Sequence, residues 1–256
     1  MQSPRSRRAR QAASTGSGPT SGGSSELRDR DMTGVPSGYG RRVATGTVIF
    51  LNGASSSGKG TLACALQGSL DRMFLHVEMD LFEALESAGY NGAVALGETV
   101  PPKLSRGTAF IHDDWKFVRI EYGDDGRRAF RGFFGMVAGL AGEGNDVIVD
   151  ACLTEPWMVP AAAANLCGLP AYLVGLRCQA DELERRERER GDRFPGIARA
   201  FAETVHSYVP FYDVEVDTAS SPIEQCVDAI RSRISDSEPQ AFRVLHAAAD
   251  APPNRP

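Results

Sequence analysis

Nine consecutive residues, Gly53, Ala54, Ser55, Ser56, Ser57, Gly58, Lys59, Gly60 and Thr61, carry the densest chemistry in this chain. Glycines at 53, 58 and 60 let backbone N–H groups curl around phosphate oxygens, and a helix starting there adds the positive end of its dipole. The Lys59 ammonium is placed to bridge the β- and γ-phosphates of a nucleoside triphosphate. Lysine occurs only at 59, 103 and 116 among 28 basic residues, so one standing where a phosphate loop needs it is informative. Such loops usually place Ser or Thr directly after the lysine, to meet Mg²⁺; here Gly60 intervenes. Thr61 is therefore the first candidate to touch the metal or the phosphates, with Ser57 the alternative.

Two carboxylates and an arginine cluster complete the set. Asp80 follows a second apolar run, where it can accept the proton of an acceptor hydroxyl as that oxygen attacks the γ-phosphorus. An N-cap for a helix starting near Leu81 is the competing reading, and Glu78 the rival base. Asp150 ends the apolar run 147–149, close to the metal or to the acceptor, with a strand-end cap as its alternative. Residues 182–193 interleave Arg185, Arg186, Arg188, Arg190 and Arg193 with Glu184, Glu187 and Glu189. Most of these must form solvated pairs along a helix. Arg186 and Arg190, one turn apart, are the pair expected to close on the triphosphate as a lid, with Arg193 third.

These groups need rigid elements beneath them. Short apolar runs alternate with amphipathic stretches, the pattern of repeated β-α units around a parallel sheet. Strands are expected over 47–51, 74–79, 147–149, 171–176 and 214–216. Helices are expected over 61–70, 129–141, 181–190, 197–208 and 223–234, with Asp181 and Ser221 as N-caps. Between the second and third core strands, residues 99–128 form an insertion expected to cover the acceptor site. Within it, 115–122 alternates like a strand and runs into Gly123-Asp124-Asp125-Gly126, which reads as a tight turn.

Residues 1–42, rich in Ser, Gly and Arg, are expected to be a disordered basic tail, and 235–256 a loose C-terminal end. The kinase-type domain is then 43–234. A formal charge of −5 gives no reason to expect a nucleic-acid partner, and no apolar run is long enough to span a membrane. Five scattered cysteines suggest reduced thiols in a cytoplasmic protein. His76, His112, His206 and His246 show no metal-ligand spacing. Self-association is compatible with the sequence, which fixes no oligomeric state.

With these residues together, the chain resembles chloramphenicol phosphotransferase and its relatives over roughly residues 46–234. The resemblance rests on Ile49-Phe50-Leu51-Asn52 leading into Gly53 to Lys59, on Asp80-Leu81-Phe82-Glu83-Ala84-Leu85, and on Asp146-Val147-Ile148-Val149-Asp150. Gly175-Leu176-Arg177-Cys178, Glu187, Arg190-Gly191-Asp192-Arg193 and Tyr212-Asp213-Val214-Glu215-Val216-Asp217-Thr218 are its most specific parts. It implies an α/β fold, a P-loop kinase-type parallel sheet of about five strands flanked by helices, similar to shikimate and adenylate kinases. It further implies ATP- and Mg²⁺-dependent phosphorylation of a small-molecule hydroxyl, in the founding case that of chloramphenicol. Asp80 matches the family's base, Lys59 its loop lysine, and Arg186, Arg190 and Arg193 its lid arginines. Gly60 departs from the expected Ser or Thr, although a similar Gly-Lys-Gly-Thr ending occurs in nucleoside monophosphate kinases. Residues 99–128 match only loosely. Two other readings stand beside this one: a kinase of a nucleoside- or sugar-like alcohol, and a nucleotide-binding regulatory module without transfer activity.

Overall fold

The structure, a computed structural model, describes residues 44–80 and 85–250. The expected tail over 1–42 lies outside the described residues, as do 81–84 and 251–256. Five strands, β1 (Val48–Gly53), β2 (Phe74–Glu78), β6 (Asp146–Ala151), β7 (Ala171–Arg177) and β8 (Val214–Asp217), form a parallel sheet in the order β2-β6-β1-β7-β8. Because β1 is covered on both faces it reads as an unbroken apolar run, with Val48, Ile49, Phe50 and Leu51 fully buried. Its alternate side chains serve two cores. Val48 and Phe50 pack with Phe130, Phe133 and Phe134 of α2 (Asp124–Gly142), with α3 (Met158–Leu166) and with α7 (Ala241–Asp250). Ile49 and Leu51 pack with Leu62 and Leu66 of α1 (Lys59–Ser69) and with Val227 and Ile230 of α6 (Ile223–Asp236). Two shorter helices, α4 (Ala180–Arg190) and α5 (Ile197–Thr204), lie between β7 and β8 in the chain.

The register places the site. Leu51 and Glu78 both pair opposite Asp150, so the loop after β1, the residues after β2 and the end of β6 meet at the carboxyl edge of the sheet. Ligands of α/β sheets bind at this edge.

Four expectations are corrected. The insertion is a three-stranded sheet of β3 (Asn91–Ala95), β4 (Thr108–Asp113) and β5 (Lys116–Tyr122), so it starts before residue 99. Asp124 and Asp125 form no turn; they occupy the first turn of α2, where acids suit the helix dipole. Gly126 is there for close approach, since a Cβ would come within 2.5 Å of the Gly107 carbonyl oxygen. The hairpin turn falls instead at Asp114 and Trp115, whose φ values are 45° and 61°. Neither expected N-cap serves: Asp181 lies inside α4, Ser221 precedes Pro222, and neither α4 nor α6 has a side-chain cap.

The last correction concerns the C-terminal end, where residues 241–250 form helix α7. The buried Asp213 carboxylate accepts the Gln240 N–H at 2.7 Å and the Leu173 N–H at 2.9 Å, and meets Arg233 at 3.1 Å. It thereby fastens the start of α7 to the sheet. Phe242 packs edge-on against Phe50 at 5.5 Å.

Candidate active site

The loop between β1 and α1 is built for close approach. Ser56 and Gly58 take left-handed φ values of 63° and 87°, turning the chain into α1. Gly53 has no room for a side chain, since a Cβ would sit 2.7 Å from Ser57 Oγ. The Ser56 and Ser57 hydroxyls are buried without hydrogen-bond partners. Orphaned buried hydroxyls are costly, and a phosphate oxygen in the loop would satisfy them.

Lys59 is buried and heavily contacted. Its Nζ donates to the carbonyls of Gly53 at 3.0 Å and Ala54 at 2.9 Å, and to Cys152 Sγ at 3.3 Å. Asp150 lies 3.6 Å away. Burial works against the charged ammonium, but Cys152 and Asp150, with Asp80 further off, hold its pKa above the ordinary lysine value. Burial pushes the Cys152 thiol up, Lys59 opposing, so the sulfur faces Lys59 as a neutral acceptor.

In front of the loop is a cavity of about 620 Å³. Residues 55–61, Asp80, Asp150, Arg186, Arg190 and Arg193 all line it, so the structure gathers most of the expected site residues in one place. Gly53 and Ala54 do not line it; their carbonyls form the seat of Lys59. Thr61 is exposed on the first turn of α1, and a Cβ at Gly60 would lie 3.5 Å from Asp150 Oδ2. The bare Gly60 thus leaves open the space between the loop and Asp150. Across the cavity stands an apolar wall: Phe110 and Ile120, paired across β4 and β5, with Tyr122, and Ile197 and Phe201 from α5. The insertion does face this cavity.

The lid arginines divide their work. Arg186 bonds Glu182 and donates to the Thr218 carbonyl oxygen at 2.8 Å, and Thr218 Oγ1 donates to the Ser57 carbonyl oxygen at 2.7 Å. That chain of bonds fixes Arg186 beside Gly58. Arg190 pairs with Asp192 at 3.0 Å. Arg193 leans the other way and forms an ion pair with Asp80. The loop between α4 and α5 is also tied to the small sheet, since the Phe117 N–H donates to the Pro195 carbonyl oxygen at 2.9 Å.

Several contributors had no role assigned from charge or spacing, although the family resemblance had already singled out Glu187. Glu187 is buried inside the charge run and accepts the Gly196 and Ala198 N–H groups at 2.7 and 2.8 Å, capping α5. Cys152 lies two residues beyond Asp150, just past the end of β6, and that adjacency was its only signal. Tyr122 could have been found from the alternation of β5, which puts it on the face of Ile120.

A glycine-rich loop between β1 and α1 of a five-stranded parallel sheet, with a carboxylate after β2 and three arginines lining the same cavity, defines the class: a P-loop kinase. Solved structures agree in fold. A sugar kinase from Janibacter has a TM-score of 0.52 at 14% identity, covering 74% of this chain and 95% of its own. The APS kinase CysC of Mycobacterium tuberculosis has a TM-score of 0.50 at 17% identity, covering 75% and 99%. The family model described as chloramphenicol phosphotransferase-like protein matches residues 46–235, and the chain belongs to that family. A relative named "Putative O-phosphotransferase Rv2636", of Mycobacterium tuberculosis H37Rv, is 30% identical over 196 residues, 76% of this chain and 81% of that protein. The protein is a kinase-type phosphotransferase acting on a small-molecule hydroxyl. No helix among the described residues is long and apolar enough to cross a membrane.

Proposed function

We propose that the protein transfers the γ-phosphoryl group of ATP to a hydroxyl of chloramphenicol or a related antibiotic-like alcohol. The observation that carries this reading is that Lys59, two unpartnered buried hydroxyls, Asp80 and an apolar wall all line one cavity. Such a wall suits an apolar-bodied alcohol better than a fully hydroxylated sugar, whose hydroxyls would be left unpaired against it.

Residues 55–60 with Lys59 and Arg186 would hold the phosphates, and Thr61 and Asp150 offer the hard oxygen donors that Mg²⁺ takes. When bound, that ion neutralises charge on the phosphate oxygens. The chain's own part is positioning and proton transfer. As the acceptor oxygen bonds to the γ-phosphorus and the bond to the ADP oxygen breaks, Asp80 takes the hydroxyl proton. Arg193, paired with Asp80, brings the lid to the acceptor side while Arg186 stays at the loop. The two substrates are thus enclosed by one movement.

The test is incubation of the purified protein with ATP, Mg²⁺ and chloramphenicol, following ADP release and product mass. Chloramphenicol-dependent ADP with a phosphate mass gain is the expected result. ADP formed only with nucleoside or sugar acceptors would replace the acceptor, and ATP binding without transfer to any acceptor in a broad panel would overturn the proposal.

A further inference from the structure

A second chamber, of about 430 Å³, opens beside the main cavity between β3, the turn at Trp115 and the loop joining α4 to α5. It shares Phe110, Arg193 and Ile197 with the main cavity, so these side chains border both spaces. Its walls are aromatic. His112 and Trp115 stack at 4.8 Å with planes 8° apart, and Phe194 lies 6.0 Å from Trp115 at 11°. Phe110 is stacked with Phe194 at 6.3 Å.

Trp115 is out of place by the rules of folding. A two-residue hairpin loop with both φ values positive favours Asn, Asp or Gly, and a bulky side chain there is strained. Yet Trp115 holds φ at 61° while its side chain remains 64% exposed. Stacking on His112 and beside Phe194 ties it to the loop between α4 and α5, and the rest of its ring faces the chamber. The charges at the rim are already engaged, Asp192 with Arg190 and Arg193 with Asp80. An ionic ligand would have to break these pairs; an uncharged ring would not.

We propose that this chamber is a stacking subsite for an uncharged aromatic ring carried by the acceptor, remote from its reacting hydroxyl. The proposal rests on the reading of the main cavity as the acceptor site. An acceptor lying across Phe110 and Arg193 would place its hydroxyl near Asp80 and its ring over the outer faces of Trp115 and Phe194, which already stand side by side. Since Phe194 and Pro195 belong to the lid loop, a bound ring favours the closed lid, and a closed lid completes the ring's site.

The chain has two tryptophans, Trp115 and Trp157, and only Trp115 lines the chamber. The experiment is a fluorescence titration of the full chain with 4-nitrobenzyl alcohol, whose nitroaromatic ring quenches an indole it stacks on. The wild type should show saturable quenching that Trp115→Phe abolishes. Phe194→Ala should weaken the midpoint about 3- to 10-fold, the worth of one aromatic pair. Linear quenching without saturation, or the same saturable signal in Trp115→Phe, would overturn the subsite, as would an unchanged midpoint in Phe194→Ala. So would Trp115 emission that varies with protein concentration alone, which would assign the rings to a second copy of the chain. Saturable quenching by Trp115 in a protein that phosphorylates nothing would sink the proposed reaction and leave the subsite standing.

Discussion

Asp80 and Lys59 line the same cavity, yet their substitutions should fail in different ways. Asp80→Asn keeps the shape and removes the proton acceptor, so turnover should fall at least ~100-fold with ATP affinity nearly intact, the scale of a lost general base. Steady-state kinetics beside a nucleotide-binding titration decides it, and near-normal turnover would take Asp80 out of the mechanism. Lys59→Ala should instead raise the ATP concentration needed for half-maximal rate, because the lost ammonium acts on the phosphates. Unchanged ATP kinetics in that variant would refute the donor assignment. The loop was legible from its glycines and scarce lysine, since all its parts are contiguous. What seats Lys59 was not: Cys152 and Asp150 come to it through strand pairing across about a hundred residues.

At the scale of elements, the lid depends on one buried carboxylate. Glu187 looked like one more charge on a solvated helix, yet it accepts two backbone N–H groups at the start of α5 and so fixes the loop that carries Arg193 and Phe194. The charge pattern could not reveal this, because period and composition do not distinguish a carboxylate turned to water from one turned to a helix end. Glu187→Ala would leave both N–H groups without their acceptor, at about 1–3 kcal/mol of local order. Amide exchange over residues 191–198 should quicken by tenfold or more, while that of β1 stays as it was. Equal exchange in the two proteins would mean that the loop is held from the small sheet alone. That sheet was itself only half legible. β5 alternates clearly, but β3, Asn-Gly-Ala-Val-Ala, is short, largely unburied and has Val94 as its one strong strand former.

At the scale of the molecule, the central strands β6, β1 and β7 were legible because burial on both faces demands apolar runs, and the C-terminal helix was not. A buried network crosses the sheet: Asn52 donates to the Tyr212 hydroxyl at 2.7 Å, and His206 Nδ1 lies 2.8 Å from it. With His206 Nε2 donating to the Leu176 carbonyl oxygen, Nδ1 is left to accept from Tyr212, so the ring is neutral. Burial, helped by Arg177, lowers its pKa from 6.5 to about 4. Below pH about 6.5 the unfolded chain therefore binds a proton that the folded chain refuses until about 4. Stability should fall as pH drops through that window, and denaturant midpoints should show a smaller fall in His206→Gln; parallel curves would refute the assignment. The C-terminal helix makes the stronger case. Phe242, Val244 and Leu245 hinted at a docked strand or turn, but among alanines, and with the start of the helix held from Asp213, they did not announce a helix. Phe242 is 2% exposed against Phe50, whose strand carries the phosphate loop. Phe242→Ala should then cost about 3–5 kcal/mol in a denaturant titration, as for other buried aromatics cut to alanine. A loss under about 1 kcal/mol would mean that α7 is not docked. The variant's turnover per folded molecule should stay close to wild type, because α7 joins the cluster on the face of β1 turned away from α1, and neither Phe242 nor Leu245 lines the cavity.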